Sequence, residues 1–247
     1  MSELITTNGS PKGLDASDAP TALPSRGAAR RGSRTGKARG AEPYDSLLWR
    51  LLARRPAETE SPVLVGLMAC EARAGATTIA ANLAIRAAEL QQGPVLLIEA
   101  NSERPRLAGV WKLSPGPGLA ELLAGEASLS ECLSDGPATD LKVISAGASL
   151  HGNSPAWEPG LVTALLNEAS ADFRFVLFDM PSADQAKDAV LLARQLDQVL
   201  LVVRAEQSRA AVVQRVADQL IDDGVRLTGV VLNRQRSYAP RWLSRWI

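Results

Sequence analysis

The chain has 247 residues, with 27 Lys/Arg balanced by 27 Asp/Glu, and 46% of its residues are hydrophobic. Such a composition supports a buried core in one large domain or two small ones; without an apolar run of about eighteen residues, no membrane-spanning helix is expected. Two cysteines, Cys70 and Cys132, and one histidine, His151, make neither a disulfide framework nor a recognisable metal-ligand set.

The start, Met1-Ser-Glu-Leu-Ile, lacks a charged residue run followed by an apolar stretch, so a reducing cytoplasm is the expected setting. Residues 1–41 carry seven of the Lys/Arg and three of the Asp/Glu, a net +4, which leaves a net −4 for residues 42–247. The first stretch is rich in Ser, Gly, Ala, Pro and Arg and has no aromatic residue. Too little apolar surface is present to offset chain entropy, which predicts a disordered basic arm over 1–41.

From Glu42 the pattern changes. Glu42 to Arg55 reads as a short helix with Pro43 in its first turn. Apolar runs at Val63–Met68, Val95–Ile98, Leu141–Ile144, Phe175–Phe178, Val199–Val203 and Leu227–Leu232 predict six strands buried on both faces. Helical spacing marks Thr77–Leu90, Leu119–Ala124, Gly160–Ala171, Ala186–Gln195 and Ser208–Asp223. Strands alternating with helices predict one doubly wound α/β domain over 42–234, with a mostly parallel sheet and helices on both faces.

Open sheets of this kind bind ligands at the carboxyl ends of their strands. The first strand-to-helix turn reads Ala69-Cys-Glu-Ala-Arg-Ala-Gly-Ala-Thr-Thr78, then Ile-Ala-Ala-Asn-Leu-Ala84. A strand, a turn and a helix opening on Gly75-Ala76-Thr77-Thr78 is the layout of a P-loop. There, backbone N–H groups wrap phosphates, a Lys balances the terminal phosphate and a Ser/Thr hydroxyl holds Mg²⁺.

These residues resemble the cytoplasmic domain of the bacterial tyrosine kinases of capsular and exopolysaccharide synthesis, within the MinD/ParA-like P-loop ATPases. Gly75, Thr77, Thr78 and Asn82-Leu83-Ala84 agree with that family's loop, whereas Ala72 stands for its Pro, Arg73 for its first Gly and Ala76 for its catalytic Lys. The family's second motif, Asp-x-Asp-x-Arg, corresponds to Glu99-Ala-Asn101-Ser-Glu103, followed by Arg104-Pro105. Its third, Asp-Thr-Pro-Pro, corresponds to Asp179-Met-Pro181-Ser182, and Asn233 closes the last strand. Gly118–Glu126, Leu141–Gly147 and Asp188–Ala193 follow further family stretches, so the likeness spans about 190 residues in order.

The resemblance implies ATP and Mg²⁺ as cofactors. It implies Arg73, Gly75, Thr77 and Thr78 at the phosphates, Asn233 near the base, Thr77 and Asp179 at the metal, and Glu99 with Asp179 as the degenerate catalytic acids. Loss of the Lys at Ala76 removes a cation that stabilises the transferring phosphoryl group, which costs about a hundredfold to a thousandfold in rate. The implied function is therefore a catalytically impaired regulator or scaffold of exopolysaccharide or capsule synthesis or export. Its implied partner is a membrane-embedded co-polymerase or export protein, met from the cytoplasm or the periphery of the inner membrane. An active ATPase or protein-tyrosine kinase with displaced groups, and a MinD/ParA-like positioning protein, stand as the alternatives.

The family's terminal tyrosine cluster is reduced here to Tyr238, and Asp45 and Leu48 stand where its ring-assembly motif has Arg. The segment 235–247 combines cations and aromatics, and Arg241, Trp242, Arg245 and Trp246 are candidate contacts with a membrane surface. Nucleic acid is not an expected partner. Trp49, Trp111 and Trp157 read as packing residues, and Cys70 as a loop residue with an accessible but unreactive thiol.

Overall fold

The structure is a computed structural model that describes residues 3–6, 42–54, 61–90, 93–147, 157–184 and 189–235. Eight strands form one sheet: β1 (Glu3–Thr6), β2 (Val63–Ala69), β3 (Val95–Glu99), β4 (Ser134–Asp135), β5 (Leu141–Ile144), β6 (Phe175–Met180), β7 (Gln198–Arg204) and β8 (Leu227–Asn233). Their order is β1-β8-β7-β2-β6-β3-β5-β4, and only the two-residue β4 runs antiparallel to its neighbour. The helices are α1 (Glu42–Ala53), α2 (Ala76–Glu89), α3 (Leu107–Trp111), α4 (Leu119–Leu123), α5 (Leu129–Cys132), α6 (Pro159–Asp172), α7 (Ala189–Ala193) and α8 (Ala210–Asp222).

Alternation along each strand sends side chains to opposite faces, and both faces are covered. On one face Val65 and Leu67 of β2 and Val95 and Leu97 of β3 pack with Leu47, Leu48 and Leu51 of α1 and the alanines of α2. On the other, Leu96, Ile98, Val176 and Phe178 pack with Val162, Leu165 and Leu166 of α6 and Leu192 of α7. The α2 face is mostly Ala (Ala80, Ala84, Ala87), so the helix sits close to the strands below it. Two helix positions expected to differ from the family take structural roles: Asp45 pairs with Arg86 of α2 at 2.7 Å, and Leu48 is fully buried.

The six expected strands and the doubly wound arrangement are present. β1 and β4 are additional. β1 pairs in parallel with β8, Glu3 opposite Gly229, so the expected disordered arm over 1–41 does not hold at residues 3–6; the rest of that arm lies outside the described residues. So do residues 236–247, with their candidate membrane contacts Arg241, Trp242, Arg245 and Trp246. No helix among the described residues is long and apolar enough to cross a membrane.

Two smaller expectations are corrected. Trp157 is buried, but Trp49 is 56% exposed on the outer face of α1, because Leu47, Leu48 and Leu51 already supply that helix's inner stripe. Cys70 is buried rather than accessible, and burial pushes its thiol up to about 11, a rise to which Glu71 and Asp184 add.

Candidate functional site

β2 lies at the centre of the sheet, between β7 and β6, and the turn after it opens on the carboxyl edge. Parallel pairing brings the other strand ends to the same edge: Glu99 stands opposite Asp179, and Arg204 opposite Asn233. The loop is tied to its neighbours by backbone bonds from Cys70 N to Val202 O and from Ala183 N to Ala69 O. Ser208 Oγ adds a bond to Glu71 Oε2 at 3.2 Å.

Within the loop, Gly75 has φ +101° and caps α2. A Cβ there would lie 2.2 Å from Asn233 Nδ2. That amide is buried and donates to Ala74 O at 2.8 Å, while Arg234 N donates to Asn233 Oδ1 at 2.9 Å. Asn233 therefore braces the phosphate loop against the end of β8, and both ends of its amide are engaged by backbone. Asn233, the expected base contact, thus has a structural role in the fold. Gly75→Ala is expected to lower Tm by several degrees, since it combines positive-φ strain of about 1–3 kcal/mol with loss of this brace; differential scanning calorimetry checks it, and an unchanged Tm contradicts it.

Arg73 also takes a left-handed conformation, at φ +67°, where the family's loop has Gly. Its exposed side chain, with Gly75, Ala76, Thr77 and Thr78, lines a cleft of about 380 Å³. Asn101, Arg104 and Arg106 from the β3–α3 turn line it as well, and so do Arg204 and Arg234 from the ends of β7 and β8, on the other side of β2. Of these cations the sequence motifs singled out Arg73 and Arg104. Arg106, Arg204 and Arg234 were missed, although cations directly before a helix or at the carboxyl end of a strand were a usable signal.

Asp179 is 1% exposed, and neither carboxylate oxygen has a hydrogen-bond partner. Burial pushes its carboxyl up to about 8; the adjacent Thr77 hydroxyl works in the opposite direction without completing a bond, and the Glu99 charge adds to the rise. A desolvated carboxylate with open lone pairs beside the loop hydroxyl is a donor set suited to a hard divalent cation. Thr77 and Asp179 thus fit the expected Mg²⁺ site.

Glu99, expected as a catalytic acid, is engaged by backbone. It is 1% exposed, and its Oε1 accepts the N–H of Arg106 at 2.5 Å and of Leu107 at 2.8 Å, while Oε2 accepts Ala146 N at 3.3 Å. Burial raises its carboxyl and the three backbone donors oppose the rise. The methylene that distinguishes Glu from the family's Asp lets the carboxylate reach past the cleft and clamp the start of α3 to the end of β5. Asn101 faces the cleft, but its Oδ1 accepts Arg104 N at 3.3 Å.

No family model matches the chain. Over 166 residues it is 29% identical to the tyrosine-protein kinase ptk of Acinetobacter johnsonii, a match covering 67% of this chain and 22% of that protein. The kinase domain of Escherichia coli tyrosine kinase ETK superposes with a TM-score of 0.72 at 25% identity, covering 81% of this chain and 79% of that one. MinD of Pyrococcus horikoshii, solved with Mg-ADP, shares the fold at a TM-score of 0.60 and 20% identity over 74% of this chain and 76% of that one. The chain is a homologue of bacterial tyrosine-protein kinases, with the P-loop fold of their kinase domains and of MinD-like ATPases.

Proposed function

We propose that the protein binds a nucleoside triphosphate at the β2–α2 loop and transfers its phosphoryl group poorly, acting as a regulator or scaffold in exopolysaccharide or capsule synthesis. The carrying observation is Ala76: the residue at the position of the family's catalytic Lys is an alanine buried in the core at the start of α2 and brings no cation to the cleft, while Gly75, Thr77, Thr78 and Asp179 around it are kept. Backbone N–H groups at the start of α2 would receive the phosphates. Thr77 and Asp179 would hold Mg²⁺, which when bound neutralises and orients the phosphate chain. Glu99 holds the wall that carries Arg104 and Arg106, and is a positioning residue rather than an acceptor of the substrate proton.

The polysaccharide setting and a membrane-embedded co-polymerase or export partner follow from the family likeness, as does the cytoplasmic side of the membrane as the place of action. Phosphoryl transfer from labelled ATP to protein and to water, assayed beside the ETK kinase domain, is expected to be about a hundredfold or more slower. Comparable turnover that disappears in Thr77→Ala would refute the impairment. A second reading, an active kinase with displaced groups, draws support from Arg73 at the cleft. A guanidinium on another backbone vector does not reproduce the position of the lysine ammonium, and phosphoryl transfer is sensitive to such placement.

A further inference from the structure

Five arginines from four separate segments converge on the cleft: Arg73, Arg104, Arg106, Arg204 and Arg234. No carboxylate lines it, and among the described residues none of the five is in an ion pair. Four are exposed and Arg204 is half-buried, so their guanidiniums are open to a ligand. Two of them, Arg73 at φ +67° and Arg234 at φ +58°, hold left-handed backbone conformations that cost an L-residue of their type about 1 kcal/mol or more each. Asn233 links these two strained positions, bonding to Ala74 O on one side and to Arg234 N on the other. Like charges gathered at strained positions destabilise the empty fold, and a polyanion relieves the repulsion.

Resting on the nucleotide reading of the same site, we infer that this arginine collar binds a phosphate chain even as its metal-free anion, with guanidiniums doing the neutralising that the P-loop Lys does elsewhere and holding the chain when the Thr77–Asp179 site carries no Mg²⁺. Charge complementarity carries the choice. A triphosphate has about four negative charges without metal and about two once Mg²⁺ is bound, and a collar of five cations matches the former. Guanidinium also pairs with phosphate through two parallel hydrogen bonds, which an ammonium does not. The phosphate chain has two sources, a nucleoside triphosphate or inorganic polyphosphate, and the ligand series separates them.

Calorimetric titrations of the full chain would use ATP with EDTA, ATP with excess Mg²⁺, and inorganic tripolyphosphate with EDTA. The collar predicts that ATP in EDTA still binds, within about tenfold of Mg-ATP. It also predicts that Arg204→Ala, Arg73→Gly and Arg234→Gly each weaken tripolyphosphate by about tenfold. The two Gly variants relieve the left-handed strain, so their ligand-free Tm is equal or higher, which separates lost binding from lost folding. Tripolyphosphate binding without ATP binding supports the collar and refutes the nucleotide reading. Binding of Mg-ATP alone, or unchanged affinity in all three variants, overturns the collar and leaves the nucleotide reading standing. Absence of all binding overturns both.

Discussion

Asp179→Asn is expected to stabilise the protein at pH 8 while removing its response to Mg²⁺. The carboxyl ordinarily titrates near 3.8, but in the fold it keeps its proton to about pH 8 because it is buried beside Glu99. Between those values the folded state holds a proton that the unfolded state has released. Stability therefore falls as pH rises through that window and is flat above it. An amide has no such titration, so the Tm of the variant should match the native protein near pH 4 and exceed it increasingly toward pH 8. Relaxation and water entry reduce the penalty of a buried charge, and about 1–3 kcal/mol is a reasonable expectation. For a domain of this size that corresponds to roughly 3–10 °C. Mg²⁺ should raise the Tm of the native protein at pH 8 by mass action and leave Asp179→Asn unmoved. A variant with lower Tm at pH 8, or one still stabilised by Mg²⁺, would show that Asp179 has a structural partner instead.

Glu99→Ala is expected to have the opposite sign and a comparable size. Three backbone donors, on Arg106, Leu107 and Ala146, would lose their acceptor in a buried setting. Each unsatisfied donor costs about 1–3 kcal/mol, though water entering the vacated space lowers the total. A loss of about 3 kcal/mol, or some 6–12 °C, follows. Glu99→Gln keeps one carbonyl oxygen for Arg106 and Leu107 and should retain most of the stability. A catalytic acid would behave differently: Gln would abolish the chemistry as completely as Ala, with little change in Tm. Thermal melts of both variants, paired with nucleotide affinity, distinguish the two roles.

The contrast between these two acids shows what the sequence can and cannot carry. The six expected strands were legible because each is a Val, Leu, Ile or Phe run, most of them buried on both faces, and the loop was legible because Gly75-Ala76-Thr77-Thr78 lies between a strand and a helix. Asp179 was legible for the same reason, at the end of the Phe175–Phe178 run. The backbone contacts of Glu99 were not legible, because its residue type matches a catalytic acid and only the fold brings its carboxylate to the N–H groups of Arg106, Leu107 and Ala146. The Asn233 brace was not legible for a similar reason: its partner Ala74 is 159 residues away. β4 is only two residues long, and β1, as long as β5, lies in a stretch whose composition reads as disorder; they form because β5 and β8 offer open edges. The arginine collar depends on strand order, since Arg204 and Arg234 meet Arg73 only because β7 lies between β8 and β2.

A single-turnover experiment tests the central claim most directly. Excess full-length protein is mixed with γ-labelled ATP, and retained label and released or transferred phosphate are measured from the same samples over time. A site that keeps its phosphate loop, Thr77 and Asp179 but has Ala76 in place of the catalytic Lys should retain ATP with almost none of it cleaved while it stays bound. Cleavage that keeps pace with binding, and that is lost in Thr77→Ala, would contradict the account.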